Sequence, residues 1–395
     1  MTDDATHDAT AHDATKEATT QDATLGARGD ASPTESGAPE HPVSRVGVSR
    51  VVRVDRGAVS VLPVRGPGAG DGGHLDGLVA QDAGLLRVDL DRDGLVPFAD
   101  GSRRPAAVGD WLEIGERADG APHVALARDR RTALVRDTAG ATSDVQTLAA
   151  NVDVVLVAEH LDPDPSLGRV ERLLTLAWRS GAQPVVVLTK ADLVPDPDGM
   201  AAEVAGVAIG VDVHVVSAVR GEGLEPVRAL LGPGVTLVVV GPSGAGKSTL
   251  ANALAGAEVM ATAERRADGR GRHTTTHREL VMLPGGAVLI DTPGLRGVGL
   301  VADAAALGVT FADVEELAAR CRFSDCAHGT EPGCAVRAAL ESGELAERRL
   351  DSWRRLRREA AFQERRADAR LAAQERARWK RITVEHHRQL RSPRR

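Results

Sequence analysis

Apolar and polar positions change rhythm twice along the chain. Between residues 43 and 136, short β-branched runs, SRVVRV, GAVSVLPV, LLRVDL and DWLEI, are separated by Gly, Asp and Pro. Such runs with turn residues between them predict the strands of a small all-β domain. From about Asn151, strand-like runs (VDVVLVAEH, PVVVLTKADL, VDVHVVSAV, VTLVVVGPSG and AVLIDTPG) are spaced by helical stretches, and most end in a polar or glycine-rich turn. That alternation predicts a parallel α/β sheet with its ligand loops at the carboxyl edge. Beyond Ala304 helical patterns take over and run into an end that holds Trp353 and Trp379. Residues 1–42 repeat Asp-Ala-Thr at Asp4, Asp8, Asp13 and Asp22 with almost no large apolar side chain. They cannot bury enough surface to offset the entropy of ordering, so a disordered acidic tail is expected there. The expected divisions are that tail, a β domain over 43–136, an α/β domain over 137–303 and a helical region over 304–395.

Length and composition allow this division, since 395 residues with 42% hydrophobic side chains suffice for two or three domains with their own cores. No run reaches the ~18 apolar residues of a membrane span, and the first residues lack the basic, then apolar, then small-residue pattern of a secretory leader, so a cytoplasmic protein is expected. The net charge of −7 hides an uneven distribution. Residues 1–42 carry nine acids and two bases, and the remainder balances. From Arg348 to Arg395, seventeen Lys/Arg face six acids, which suits either contact with phosphate or a solvated helix face. In the β domain, Arg45, Arg50, Arg53, Arg56 and Arg65 would suit an RNA backbone on a five-stranded barrel of the oligonucleotide-binding type, or serve solubility alone.

The stretch Gly241-Pro242-Ser243-Gly244-Ala245-Gly246-Lys247-Ser248 fits a phosphate-binding loop, and it sits between a strand and the helix that Thr249 continues. Its glycines let backbone N–H groups turn toward phosphate at a helix N-terminus. Lys247 is expected to reach the β and γ phosphates and Ser248 to ligate Mg²⁺. Downstream, VLIDTPG places Asp291 at a strand end, where it is expected to hold Mg²⁺ through water, while the Gly294 N–H senses the γ-phosphate. Between them GRGRHTTTHREL reads as a switch loop, in which one of Thr274, Thr275 or Thr276 closes on the metal. Leu295 stands where a water-positioning glutamine is found in Ras-like enzymes, so intrinsic hydrolysis is expected to be slow. His273 could supply the missing element, or could equally contact phosphate or RNA.

Thr189-Lys190-Ala191-Asp192 is the expected base reader. A carboxylate at Asp192 can accept both N–H groups on the guanine edge, and adenine would leave it unpaired. Lys190 lies along the base plane, and Ser217 and Ala218 of VSAVRGEG form a second base loop. These base-reading loops precede the phosphate loop, the reverse of the usual GTPase order. Circular permutation accounts for this, because the motifs meet in space whatever their order along the chain. Further on, Cys321, Cys326, His328 and Cys334 fall within one short stretch, CRFSDCAHGTEPGC, and the chain has no other cysteine. Three thiolates and an imidazole make a closed tetrahedral set, which predicts one structural Zn²⁺ per chain.

Taken together, AANVD at 149–153, LTKADL, GPSGAGKSTL, RGRHTTTHREL, DTPGLR and CRFSDCAHGTEPGC resemble the ribosome small-subunit-dependent GTPases. These are circularly permuted bacterial enzymes with an N-terminal oligonucleotide-binding barrel and a C-terminal zinc domain. The resemblance spans about residues 43–385; the acidic tail departs from it, as does Thr189, where asparagine is usual. It implies hydrolysis of GTP stimulated by the small ribosomal subunit in late subunit maturation, with the barrel and zinc domain gripping ribosomal RNA, and it fits a monomer. The spacing of the motifs alone indicates a permuted GTPase with a zinc site, not the ribosome. A GTPase acting on the large subunit or on another RNA-containing particle remains open. So does a nucleotide-gated RNA-binding module whose hydrolysis is incidental.

Overall fold

The structure, a computed structural model, describes residues 45–63, 84–137, 145–260, 279–291 and 303–365, with single positions at 373 and 380. The chain divides at Pro42 into two units, and the described residues all belong to the second, which begins at Val43. The expected acidic tail lies outside them.

The β domain holds β1 (Arg45–Asp55), β2 (Ala58–Pro63) and β3 (Leu86–Asp89). A short hairpin comes next, β4 (Leu95–Pro97) with β5 (Arg103–Pro105), and then β6 (Trp111–Glu116) and β7 (Pro122–Ala127). Five strands pair antiparallel in the order β3-β2-β1-β6-β7. Alternate side chains, among them Val51, Val59, Val61, Val88, Leu112 and Ile114, meet Phe98 in one core. Among the described residues no ladder joins β3 to β7, so the sheet is not closed. A further hairpin, β8 (Ala133–Asp137) with β9 (Val145–Ala150), straddles the expected boundary at 136.

The α/β domain runs β10 (Val154–His160), α1 (Leu167–Ser180), β11 (Gln183–Thr189), α2 (Pro197–Ala205), β12 (Val213–Val215) and α3 (Glu225–Arg228). It continues with β13 (Thr236–Val240), α4 (Lys247–Ala255), β14 (Glu279–Met282) and β15 (Val288–Asp291). Strands β12-β11-β10-β13-β15 are parallel, and β14 is antiparallel beyond β15. Alternate residues of β10 serve two cores. Val155 and Val157 pack with Val170, Leu174 and Ala177 of α1, whereas Leu156 and Ala158 pack with Leu250, Ala251 and Leu254 of α4. Helices therefore cover both faces, as a parallel sheet requires. Chain order runs outward from β10 to β12 and then jumps back to β13 on the other side of β10. This reversal opens a crevice at the carboxyl ends of β10 and β13, the place where such sheets bind ligands.

β1 joins the two domains by dividing one of its edges. Residues Arg45–Arg50 pair with β6, Val51 bonds to the 109–110 turn, and Arg53 pairs with Glu279 of β14. A bulge between Val51 and Arg53 bends the strand between these partners. Arg50, a candidate RNA contact by sequence, is buried instead. It donates to Thr236 Oγ1 (2.8 Å) and to the Asn151 carbonyl (3.3 Å), and it stacks over Trp111. Burial lowers its pKa to about 10, which still leaves it charged at neutral pH. Arg53 pairs with Asp55, Arg56 is exposed, and the side chains of Arg45 and Arg65 lie outside the described residues.

The helical region comprises α5 (Ala304–Thr310), α6 (Ala312–Ala319), α7 (Ala335–Ser342) and α8, described over 347–365. Its core gathers Phe311, Val314, Val336, Leu350, Trp353 and Leu356. It docks on α1 through charge. The fully buried Glu171 takes Arg348 (2.9 Å) and Arg349 (2.9 Å), and Arg349 also holds Asp313 and the Thr310 carbonyl. Two residues of the basic end are thus structural cations rather than a solvated face.

Glu171→Ala removes the fully buried one of the two carboxylates that hold the Arg349 guanidinium, 3% exposed, and leaves Asp313 alone to pair with it. The expected cost is about 3–5 kcal/mol, read as an earlier urea midpoint for loss of helical signal.

Candidate functional site

The phosphate loop follows β13 and opens α4 at the crevice. Gly241 has φ 153, and a Cβ there would lie 2.1 Å from the Ala158 carbonyl oxygen of β10, so only glycine fits. Gly244 (φ 85) and Gly246 (φ 69) carry the left-handed turns that bring the chain round to Lys247. Leu250 N donates to the Gly246 carbonyl (2.8 Å), closing the first turn of α4 behind the loop. Lys247 Nζ donates to the carbonyl oxygens of Gly241 (3.0 Å) and Pro242 (2.6 Å), which holds the ammonium against its own loop. Phosphate oxygens are acceptors that can replace both. Ser248 and Thr249 continue the helix, and Asp291 ends β15, the strand beyond β13, along the same carboxyl edge.

Thr189 ends β11 level with His160 at the end of β10. Its hydroxyl lies 2.9 Å from the Ala245 carbonyl of the phosphate loop and 3.3 Å from the Glu159 carbonyl. A contact bracing the phosphate loop against the base reader is therefore present with threonine in place of asparagine. Lys190 adopts the left-handed conformation (φ 63, ψ 35), and its Nζ donates to the Asp162 carbonyl (3.0 Å). Ser217 Oγ donates to Asp192 Oδ1 (2.7 Å), and Ala191 N donates to the Val216 carbonyl (3.2 Å). That hydroxyl holds the Asp192 carboxyl below its ordinary pKa. A turn pairing Ser217 with Glu222 carries Ala218. The sheet thus links base reader and phosphate loop across 56 positions of chain. His273, Thr274, Thr275, Thr276, Gly294 and Leu295 lie outside the described residues.

Cys321, Cys326, His328 and Cys334 bring their ligand atoms within 4.8 Å of one another. His328 Nδ1 lies 3.5 Å from Cys321 Sγ and 3.7 Å from Cys334 Sγ, and the two sulfurs are 3.9 Å apart. A tetrahedral ion with metal–sulfur bonds of about 2.3 Å and a metal–nitrogen bond of about 2.0 Å requires edges of roughly 3.8 and 3.5 Å. The three edges among Cys321, His328 and Cys334 match these values, and Cys326 stands close enough, within 4.8 Å, to complete the set. Burial, helped by Arg354 and Arg357, lowers the His328 pKa and favours the neutral imidazole that a metal needs. Glu331 closes the loop by accepting from Ala327 N (3.1 Å) and Gly329 N (2.7 Å), while Trp353 packs on the His328 ring and Arg354 donates to its carbonyl (2.8 Å).

Two further residues support the site without a catalytic motif to announce them. Asn151 (φ 54) accepts from Arg131 N and donates to the Gly109 carbonyl, tying the start of β10 to the β domain. Asp153 accepts from Thr236 N (2.9 Å), which aligns β10 with β13. Both fall within AANVD, and that stretch is their one signal in the sequence.

A family model described as RsgA GTPase matches residues 127–301. The chain is 51% identical over 340 residues to the small ribosomal subunit biogenesis GTPase RsgA of Streptomyces avermitilis, covering 85% of each protein. To the protein of that name from Streptomyces coelicolor it is 48% identical over 336 residues, covering 84% of this chain and 85% of the relative. Among solved structures it is similar to YjeQ from Thermotoga maritima, with TM-score 0.56 and 24% identity, over 80% of this chain and 98% of that one. It is also similar to YloQ, a circularly permuted GTPase, with TM-score 0.53 and 25% identity, over 82% and 99% of the two chains.

Asp192→Asn removes a charged acceptor that guanine would use twice, and weakens binding of a fluorescent guanine nucleotide by about 100-fold or more. In the unsubstituted protein the lowered pKa keeps the carboxylate ionised as pH falls. Affinity should therefore hold down to the ordinary aspartate value of about 3.9, as far as the fold survives, and fall only below it.

Proposed function

The chain belongs to the RsgA GTPase family, and we propose that it binds the small ribosomal subunit and hydrolyses GTP to GDP and phosphate during late maturation of that subunit, with the subunit stimulating turnover. The observation that carries this reading is the 51% identity, over 85% of both chains, to a protein named for small-subunit biogenesis. The local geometry supports the GTPase chemistry. Gly241 to Ser248 cradle the phosphates, Lys247 exchanges its loop carbonyls for phosphate oxygens, and Thr189 to Asp192 with Ser217 and Ala218 hold the guanine. Ser248, Asp291 and one threonine of the switch loop, Thr274, Thr275 or Thr276, are the residues that would hold Mg²⁺, which when bound neutralises charge on the transferred phosphoryl group. The Gly294 N–H reports the γ-phosphate. With Leu295 unable to orient water, His273 or the subunit completes the site.

In this reading residues 43–136 form an oligonucleotide-binding barrel, 137–303 the permuted GTPase domain and 304–395 a zinc-binding domain. The match of the Cys321, His328 and Cys334 separations to tetrahedral edges, with Cys326 within 4.8 Å, supports Zn²⁺. Barrel and zinc domain grip ribosomal RNA. The protein works as a cytoplasmic monomer; no described helix is long and apolar enough to cross a membrane.

Turnover of GTP should rise with purified small subunits and stay at its basal rate with large subunits or none, with Lys247→Ala as the blank. Stimulation by neither subunit would sink the reading and leave a GTP-gated binder. Elemental analysis should find one zinc per chain and none in Cys321→Ser, whose helical region unfolds at lower temperature.

A further inference from the structure

We propose that the groove between the start of α1 and the flank of α8 is a second phosphate site, separate from the nucleotide site, which takes a phosphodiester of an RNA strand. The choice of RNA as the source of the phosphate rests on the proposed ribosomal function. The groove, about 1540 Å³, is bounded by the turn at 165–168, by Cys326–His328 of the cysteine loop and by α8.

Three observations converge on Gly168. First, α1 begins without an anion of its own: Ser166 stands at its N-cap in an extended conformation (φ −88, ψ 99), makes no side-chain cap bond, and no acid lies in the first turn. The positive end of a fourteen-residue helix therefore meets the groove. Second, Ser352 lines the groove with a hydroxyl that is buried, 5% exposed as a residue, and has no hydrogen-bond partner. Its Oγ lies 4.0 Å from the point where a Cβ on Gly168 would stand. Third, Arg355 Nη2 lies 3.1 Å from that same point. Helix N-terminus, hydroxyl and guanidinium come together beside Gly168, and the one carboxylate oxygen there, Glu171 Oε2, also 4.0 Å from that point, is bound by Arg348 (3.2 Å). Their common complement is a tetrahedral oxyanion, which accepts from all three.

Charge along the groove favours a strand over an isolated ion. Five arginines and three acids line it. Among the described residues Arg355, Arg357 and Arg358 have no ion pair, and Arg357 is oriented by stacking on Trp353 (4.9 Å). Glu171, the acid nearest Gly168, is already neutralised by Arg348 and Arg349. A groove of this size, with cations continuing along α8, exceeds what one phosphate fills and suits successive phosphates of a backbone.

Gly168→Asp places an acid in the first turn of the helix, where the dipole favours it, in the anion position, and a thermal melt of each variant checks that the neighbouring Glu171 pair still holds the helical region. Full-length protein, its Gly168→Asp and Arg355→Glu variants, and Lys247→Ala as a control are titrated by fluorescence anisotropy with a short end-labelled single-stranded RNA over a salt series. Each lost phosphate contact should weaken binding about fivefold at physiological salt and reduce the log–log salt slope by about 1, with Lys247→Ala unchanged. Inorganic phosphate at millimolar concentration should compete only weakly. Strong competition by phosphate alone would overturn the RNA source in favour of a free-anion site, and unchanged affinity and slope in both variants would overturn the site itself. Subunit-stimulated GTP turnover in those variants separates the two proposals: if it persists while RNA binding is unaffected by substitution, the phosphate site fails and the ribosomal function stands.

Discussion

Asp153 and Thr236 form the seam on which the rest of the molecule depends. Asp153 N donates to the Thr236 carbonyl, and Thr236 N donates back to the Asp153 carboxylate, each at 2.9 Å. This pair starts the ladder between β10 and β13, the two strands whose order permutation has reversed. Every residue gained along that ladder carries the phosphate loop nearer to the end of β10, where the Ala158 carbonyl limits position 241 to glycine. The Arg50 guanidinium reaches the same seam from the β domain and ends on the Thr236 hydroxyl. One junction thus sets the crevice and fixes the β domain against it.

From the crevice, α1 carries structure outward. Its first turn holds Arg169 against the buried Glu159 at the end of β10, and Glu171 anchors the helical region through Arg348 and Arg349. The loop leading into α1 contributes the Asp162 carbonyl that holds Lys190. Lys190, the end of β10 and the cysteine-bearing region are therefore all tied to α1 or to the loop that leads into it. A buried ion pair adds little net stability over an apolar pair of the same size, yet losing one partner is costly. Glu171 accordingly penalises every docking geometry except the one that supplies its two arginines.

How much of this was legible depends on the range of the interaction. The phosphate loop and the TKAD loop were readable because glycine, lysine and aspartate at fixed spacing answer a local backbone demand. Four of the five parallel strands, β10, β11, β13 and β15, were readable because each is built on a continuous apolar run, and β12 by the alternation of VDVHVV. Strands β4 and β5 are three residues each, and β7 begins at a proline, so neither period nor length marked them. The arginines were the hardest to read. Arg50 meets a partner 186 positions away and Arg349 one 178 positions away, and nothing adjacent in sequence distinguishes a buried guanidinium from a solvated one. Thr189 shows the converse: its departure from asparagine was visible, but the hydroxyl's reach to the Ala245 carbonyl was not.

The divided edge of β1 imposes an order on biosynthesis. Its amino half is completed by β6, about sixty residues later, but its carboxyl half waits for Glu279, more than two hundred residues downstream. During vectorial synthesis the β domain emerges first with half an edge strand unpaired, and unpaired edges are templates for wrong partners. At position 53 that edge carries an arginine, paired with Asp55 two positions on, a charge that discourages strand addition until β14 arrives.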